Sequence, residues 1–162
     1  MSGQPGGNKA NKSGSLIAEA TEALTNLHGY TAVNFNQWQP RSQPKAIVRR
    51  WPYRTVYGTT GYGDACLVAG RKVWIEAKRQ MVSGSVDEKF PYMFQNAKQA
   101  WSEEADVVAI ILQGEGFKPG AVEWLKREAN NHNATRSASE APIYVFSIGE
   151  FIDWVAAQQD LK

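Results

Sequence analysis

Apolar and polar positions alternate most clearly across residues 64–80, and the rest of the chain can be arranged around that stretch. Apolar runs at 65–68 and 73–77 flank Ala69-Gly70-Arg71, which predicts a β-hairpin. In the second run Val73, Ile75 and Ala77 alternate with Trp74, Glu76, Lys78 and Gln80. Successive strand side chains point to opposite faces, so Glu76, Lys78 and Gln80 share one face and the small apolar residues pack on the other. Directly opposed residues lie on the same face, so loop parity decides what meets across the hairpin. A three-residue loop over 69–71 opposes Val68 to Lys72 and Asp64 to Glu76. A two-residue loop, Gly70-Arg71, would align Asp64 with Ala77 and separate the carboxylates. The odd loop, or a bulge with the same effect, is expected.

Upstream, Leu16, Ile17, Ala20, Leu24 and Leu27 recur at helical spacing, with Ser15 as N-cap and Gly29 as terminator. Short strands are expected at 30–35, 46–48 and 54–57, punctuated by Pro40, Pro44 and Pro52. Downstream, Ser83-Gly84-Ser85 is a break, and a helix over 91–101 starts with Pro91 in its first turn and buries Tyr92, Phe94, Ala97 and Trp101. The continuous apolar run at 106–112 has the character of a strand buried on both faces. A helix follows from Pro119 to about residue 129, ended by Asn130-Asn131-His132-Asn133, with His132 at the surface. A last strand at 143–146 leads into a capping box, Ser147 to Glu150, and a closing helix that buries Phe151, Ile152, Trp154 and Val155. The expected class is α/β: a mixed central β-sheet flanked by helices on both sides.

A chain of 162 residues suits one domain over 15–162, preceded by a disordered basic tail at 1–14. The net charge of +2 conceals an asymmetry. No Asp or Glu occurs between Glu22 and Asp64, an interval that holds Arg41, Lys45, Arg49, Arg50 and Arg54 interleaved with Trp38, Trp51 and Tyr53. Basic residues among aromatic rings suit a nucleic acid, and DNA contact is expected there and at Lys89 and Lys98. Glycines at 58, 61 and 63 would let backbone approach a partner closely, phosphate being a candidate. The single cysteine, Cys66, excludes an internal disulfide framework and points to a reducing cytoplasm. No stretch is long and apolar enough to span a membrane, and no apolar signal core opens the chain.

Two carboxylates brought together repel and are costly to bury, and a divalent cation removes the conflict. Hard oxygen donors without a neighbouring His or Cys favour Mg²⁺, with Mn²⁺ as substitute, over zinc. A lysine two residues on makes sense if it orients or acidifies a water or stabilises charge on a phosphate. A solvated edge strand with a Glu–Lys pair would use the same residues, and acidic-x-Lys triplets also occur at 87–89 and 160–162. Only residues 76–78 add the alternation, the upstream Asp and the hairpin.

Gly63-Asp64 followed by Glu76-Ala77-Lys78 resembles the PD-(D/E)XK nuclease superfamily, with Gly63 where the family's proline stands. The resemblance covers roughly residues 15–113. It implies a restriction-endonuclease-like αβββαβ core, here extended by a C-terminal helix-strand-helix. It further implies metal-dependent hydrolysis of DNA phosphodiesters to a 5′-phosphate and a 3′-hydroxyl. Asp64, Glu76, Lys78 and Gln80 would be the catalytic set. Asp64, Glu76 and the Ala77 backbone carbonyl would hold metal, and a glutamate of the first helix, Glu19 or Glu22, could join them. Double-stranded DNA cut by a homodimer of the restriction or homing type is the favoured reading. A structure-directed nuclease (junction resolvase or repair nickase) and a non-catalytic DNA-binding module remain alternatives. RNA stays open as a substrate, although no RNA-binding module pattern is present.

Overall fold

The structure, a computed structural model, describes residues 13–162. The chain runs α1 (Ser13–His28), β1 (Thr31–Asn34), a 3₁₀ turn (Phe35–Gln37), β2 (Ala46–Arg54), β3 (Thr60–Val68) and β4 (Lys72–Arg79). After a second 3₁₀ turn (Asp87–Lys89), α2 (Phe90–Asn96) continues through a π-helical segment (Ala97–Trp101) into α3 (Ser102–Glu104). Then come β5 (Val107–Gln113), α4 (Pro119–Thr135), β6 (Ile143–Phe146) and α5 (Ile148–Ala157). Residues 1–12 of the expected tail lie outside the described residues, and helix α1 begins before Ser15.

The strands form one mixed sheet in the order β1-β2-β3-β4-β5-β6. β2–β3 and β3–β4 are antiparallel, and the other three pairs are parallel. The hairpin loop is the odd one: Val68 opposes Lys72 and Ala65 opposes Ile75. Strand alternation sorts the buried residues into two layers. Val48, Cys66, Trp74, Val108 and Ile110 pack beneath α2, the π-helical segment and α4. Ile47, Ala65, Leu67, Val73, Ile75, Ala77 and Ala109 pack against α1 and α5. Helices thus cover both faces, as expected, and the C-terminal α4-β6-α5 extends the core. The run read as a two-faced strand is β5, whose residues 107–111 are all buried. Cys66 is free and buried, and burial pushes its thiol up to about 12.

Four expectations need correction. Residues 46–57 hold a single strand to Arg54 rather than two separated by Pro52. β1 pairs with β2 only as far as Arg49, so Pro52 sits where β2 has no neighbour on that side and its missing N–H breaks no ladder bond. Helix α4 continues through the asparagine run, because Asn133 bonds both the N–H and the carbonyl of Ile143 (2.8 Å each). His132 is therefore buried, with Nε2 3.0 Å from the Ala141 carbonyl. Leu27 and Tyr92 are exposed rather than buried. The capping box of α5 is present, with Ser147 N–H donating to Glu150 and Glu150 N–H to Ser147 Oγ.

Candidate active site

β3 and β4 stop exchanging backbone bonds beyond the Ala65–Ile75 pair. The Ala77 N–H points into the resulting gap, where Asp64 Oδ2 accepts it at 2.8 Å. An extended residue directs its N–H and C=O to the same strand edge, so the Ala77 carbonyl opens on that gap as well. Glu76 and Lys78 emerge from the same face of β4 as Trp74, and Lys78 Nζ donates to Glu76 Oε1 at 2.6 Å. Asp64, Glu76 and Lys78 therefore meet at one place, as hairpin parity required.

The surroundings explain the protonation behaviour. Glu76 is 8% exposed, and burial, then the neighbouring Asp64 carboxylate, push its carboxyl up to about 7 against the pull of Lys78. Burial likewise raises Asp64, opposed by Lys78 and the Ala77 N–H. Burial would lower Lys78, but the two carboxylates outweigh it and hold the ammonium above its ordinary range. With all three groups ionised the cluster has one negative charge in excess, in a place where charge is expensive. A cation at the carboxylates would remove that cost.

An aromatic wall supports the site. The Trp74 and Trp101 rings stack, with centroids 5.5 Å apart and 12° between planes. Tyr53 meets both edge-on at 5.4 and 5.6 Å. Burial, then the nearby Glu76 carboxylate, raises the Tyr53 hydroxyl, which places Tyr53 beside the acidic cluster. The sequence carried no signal for this role, because it depends on a backbone inversion. Arg50, between the Arg49–Ala65 and Trp51–Gly63 pairs, has φ +55°, a left-handed conformation that is costly for a residue with a side chain. Past it, Trp51 and Tyr53 turn to the Trp74 face, although Ile47 lies on the other. Gly63 is explained by the same wall: a Cβ there would lie 2.2 Å from Trp74 Cζ2. The position that departs from the family's proline accommodates a cross-strand tryptophan.

Other candidates sit elsewhere. Gln80 is fully buried beyond the end of β4. Its amide accepts from Val86 N–H at 2.8 Å and donates to the Gly116 carbonyl at 2.7 Å. Its amide fixes two loops and is taken up by their backbone. Glu19 is on α1, across the sheet, and pairs with Arg79 at 2.6 Å, while Glu22 is exposed. Neither reaches the carboxylate pair, and among the described residues no three His, Cys, Asp or Glu gather as a metal site. Arg41, Arg49, Arg50, Arg54 and Lys89 are exposed. Lys45 lies 5.0 Å over the Tyr30 ring, and Lys98 5.9 Å from that of Phe94. Arg50 covers the Tyr62 ring at 5.0 Å and lines a cleft of about 340 Å³ with Asn34, Phe35, Asn36 and Pro52.

The donor set fits a divalent cation that keeps much of its water. Mg²⁺ is ordinarily held by one or two carboxylates and completes its shell with water and substrate phosphate oxygens. Two carboxylates and a carbonyl open on one gap are that kind of partial shell. No helix among the described residues is long and apolar enough to cross a membrane. A family model described as a PD-(D/E)XK nuclease superfamily domain matches residues 9–159. No curated protein and no solved structure matches the chain.

Proposed function

The chain belongs to the PD-(D/E)XK nuclease superfamily, and from that premise we propose a DNA endonuclease that depends on Mg²⁺, with Mn²⁺ as substitute. The observation that carries the reading is the meeting of Asp64, Glu76 and Lys78 at the gap between β3 and β4. Asp64, Glu76 and the Ala77 carbonyl would hold the metal, which supplies Lewis-acid activation of water and neutralises charge on the phosphate. Asp64 is held in place by the Ala77 N–H, so its carboxylate needs little reorganisation. Lys78, released from Glu76 when positive charge arrives there, would hydrogen-bond the attacking water or a phosphate oxygen. Glu76 would have to give up its proton, which makes binding of the cation favour higher pH. The aromatic wall of Tyr53, Trp74 and Trp101 would limit water on the apolar side.

Arg41, Lys45, Arg49, Arg50, Arg54, Lys89 and Lys98 would contact DNA phosphates. Cutting both strands requires two such sites, which a symmetric homodimer would provide; sedimentation on DNA would show two chains per site. The functional test is a supercoiled plasmid incubated with Mg²⁺ or with chelator. Nicking or linearisation that needs the metal and is lost in Asp64→Asn supports the reading. Asparagine can still accept the Ala77 N–H, so the variant removes charge without orphaning a backbone donor. Binding without cleavage in either metal would favour the non-catalytic module.

A further inference from the structure

Tyr57 is 78% exposed, unusually so for an aromatic ring at the tip of a connection between strands. Yet the tip is rigidly built. Gly58 N–H closes the turn on the Thr55 carbonyl at 2.8 Å, and Gly58 has φ +76°. Thr55 N–H donates to the Thr59 carbonyl at 2.8 Å, and the two threonine hydroxyls lie 2.8 Å apart. One buried amide ties this turn to α2: Asn96 Oδ1 accepts Val56 N–H at 3.0 Å, and its Nδ2 donates to the Tyr92 carbonyl at 3.1 Å. Asn96 thereby fixes the backbone beside Tyr57 and that of Tyr92 together. Their rings stack with centroids 5.1 Å apart and 23° between planes. Tyr92 covers one face of Tyr57 and leaves the other to solvent.

We propose that Tyr57, backed by Tyr92, is a stacking platform for an unpaired nucleobase of the substrate strand. The preferred substrate is then nucleic acid with an unstacked base near the cut, such as a bulge, flap, junction or single strand. This rests on the nuclease reading above and selects among its substrates. Two near-parallel rings with one open face continue naturally into a third flat ring, and every base has one. Holding the platform rigid before binding removes an ordering cost. The platform also lies toward the reactive groups: Tyr57 follows four residues after Tyr53, whose ring packs edge-on against Trp74 at 5.4 Å, two residues before Glu76 on β4. Arg54 supports the tip, with Nη2 3.4 Å from where a Gly58 Cβ would stand, and brings a cation to the same place. Fully paired DNA keeps its base faces stacked and offers Tyr57 nothing to cover.

The test uses the full chain carrying Asp64→Asn, so that binding is read without cleavage, on aminopurine-labelled oligonucleotides that are fully paired or carry one bulged base. The bulged aminopurine should be quenched on binding, and the paired one should not. Tyr57→Ala should abolish the quenching and lower the ratio of bulged to paired affinity by about ten- to a hundredfold. Tyr57→Phe should retain both, since it keeps the ring. An unchanged ratio in Tyr57→Ala, or an equal loss in Tyr57→Phe, overturns the platform. Failure of the wild type to cut any substrate would instead remove the nuclease reading and leave this ratio readable.

Discussion

Glu76 should make the metal-free protein less stable as pH rises. Its carboxyl titrates near 7 in the folded protein instead of its ordinary 4.5, because burial and then Asp64 disfavour the charge. The native state therefore keeps a proton that the unfolded chain has already lost. Stability is full below the unfolded value and falls as pH climbs through the window from 4.5 to about 7. That interval corresponds to roughly 3 kcal/mol. Asp64 is also raised and adds a loss of the same sign, whereas Lys78 titrates above its ordinary 10.5 and stays out of the window. Glu76→Gln removes the proton from the balance. Its amide oxygen can still accept from Lys78, so the variant removes the charge rather than the 2.6 Å hydrogen bond, and that change is nearly constant across the window. The slope, not the offset, is diagnostic. Urea unfolding followed by tryptophan fluorescence in chelator, at steps across roughly pH 5–8, should show wild type losing stability more steeply than the variant. Saturating Mg²⁺ should offset the wild-type loss, since a ligand at 100 times its Kd adds about 2.7 kcal/mol. Parallel slopes in wild type and variant would refute the argument that Glu76 is a buried, strained charge.

Gly63→Ala should destabilise by about 1–3 kcal/mol through overlap with Trp74 and should recover when combined with Trp74→Phe, as read by melting temperature. A neutral effect would mean that Trp74 does not pack against that backbone. Replacing Arg49 and Arg50 together should flatten the dependence of log affinity on log salt by up to about 0.9 per lost phosphate contact. An unchanged slope would place both side chains away from DNA. For stability alone, Arg50→Gly should be tolerated better than Arg50→Ala by about 1 kcal/mol, because only glycine adopts φ +55° without strain; equal melting temperatures would show that the strain is absent.

The hairpin was legible because alternation and loop parity are local. Apolar positions with period two set the face of Glu76 and Lys78, and an odd loop, with Ala65 opposite Ile75, then carried Asp64 to the backbone of Ala77. β5 was legible from its unbroken apolar run, and α5 from its capping box. What escaped depends on distant partners. Alternation set Gln80 beside Glu76 and Lys78, but no local pattern announces that its amide is taken up by the backbone of two loops. His132 and Asn133 look like a helix end until β6 supplies Ile143 to bond. Pro52 reads as a breaker only if β2 has a neighbour on both sides. The wall of Tyr53, Trp74 and Trp101 needed the inversion at Arg50, which nothing in the local pattern announces. Glu19 has the right residue type on the right helix, but the sheet separates it from the pair it was expected to join.

The central claim is that the carboxylates at 64 and 76 jointly hold a divalent cation. Titration of the chelator-treated protein with Mn²⁺, followed by electron paramagnetic resonance, tests it without any substrate. Wild type should bind Mn²⁺ with an affinity that rises as pH passes through about 7, and Mg²⁺ should displace it. Asp64→Asn and Glu76→Gln should each abolish that binding while Glu19→Gln leaves it intact. Undiminished Mn²⁺ binding in Asp64→Asn, or no binding by wild type, would contradict the account.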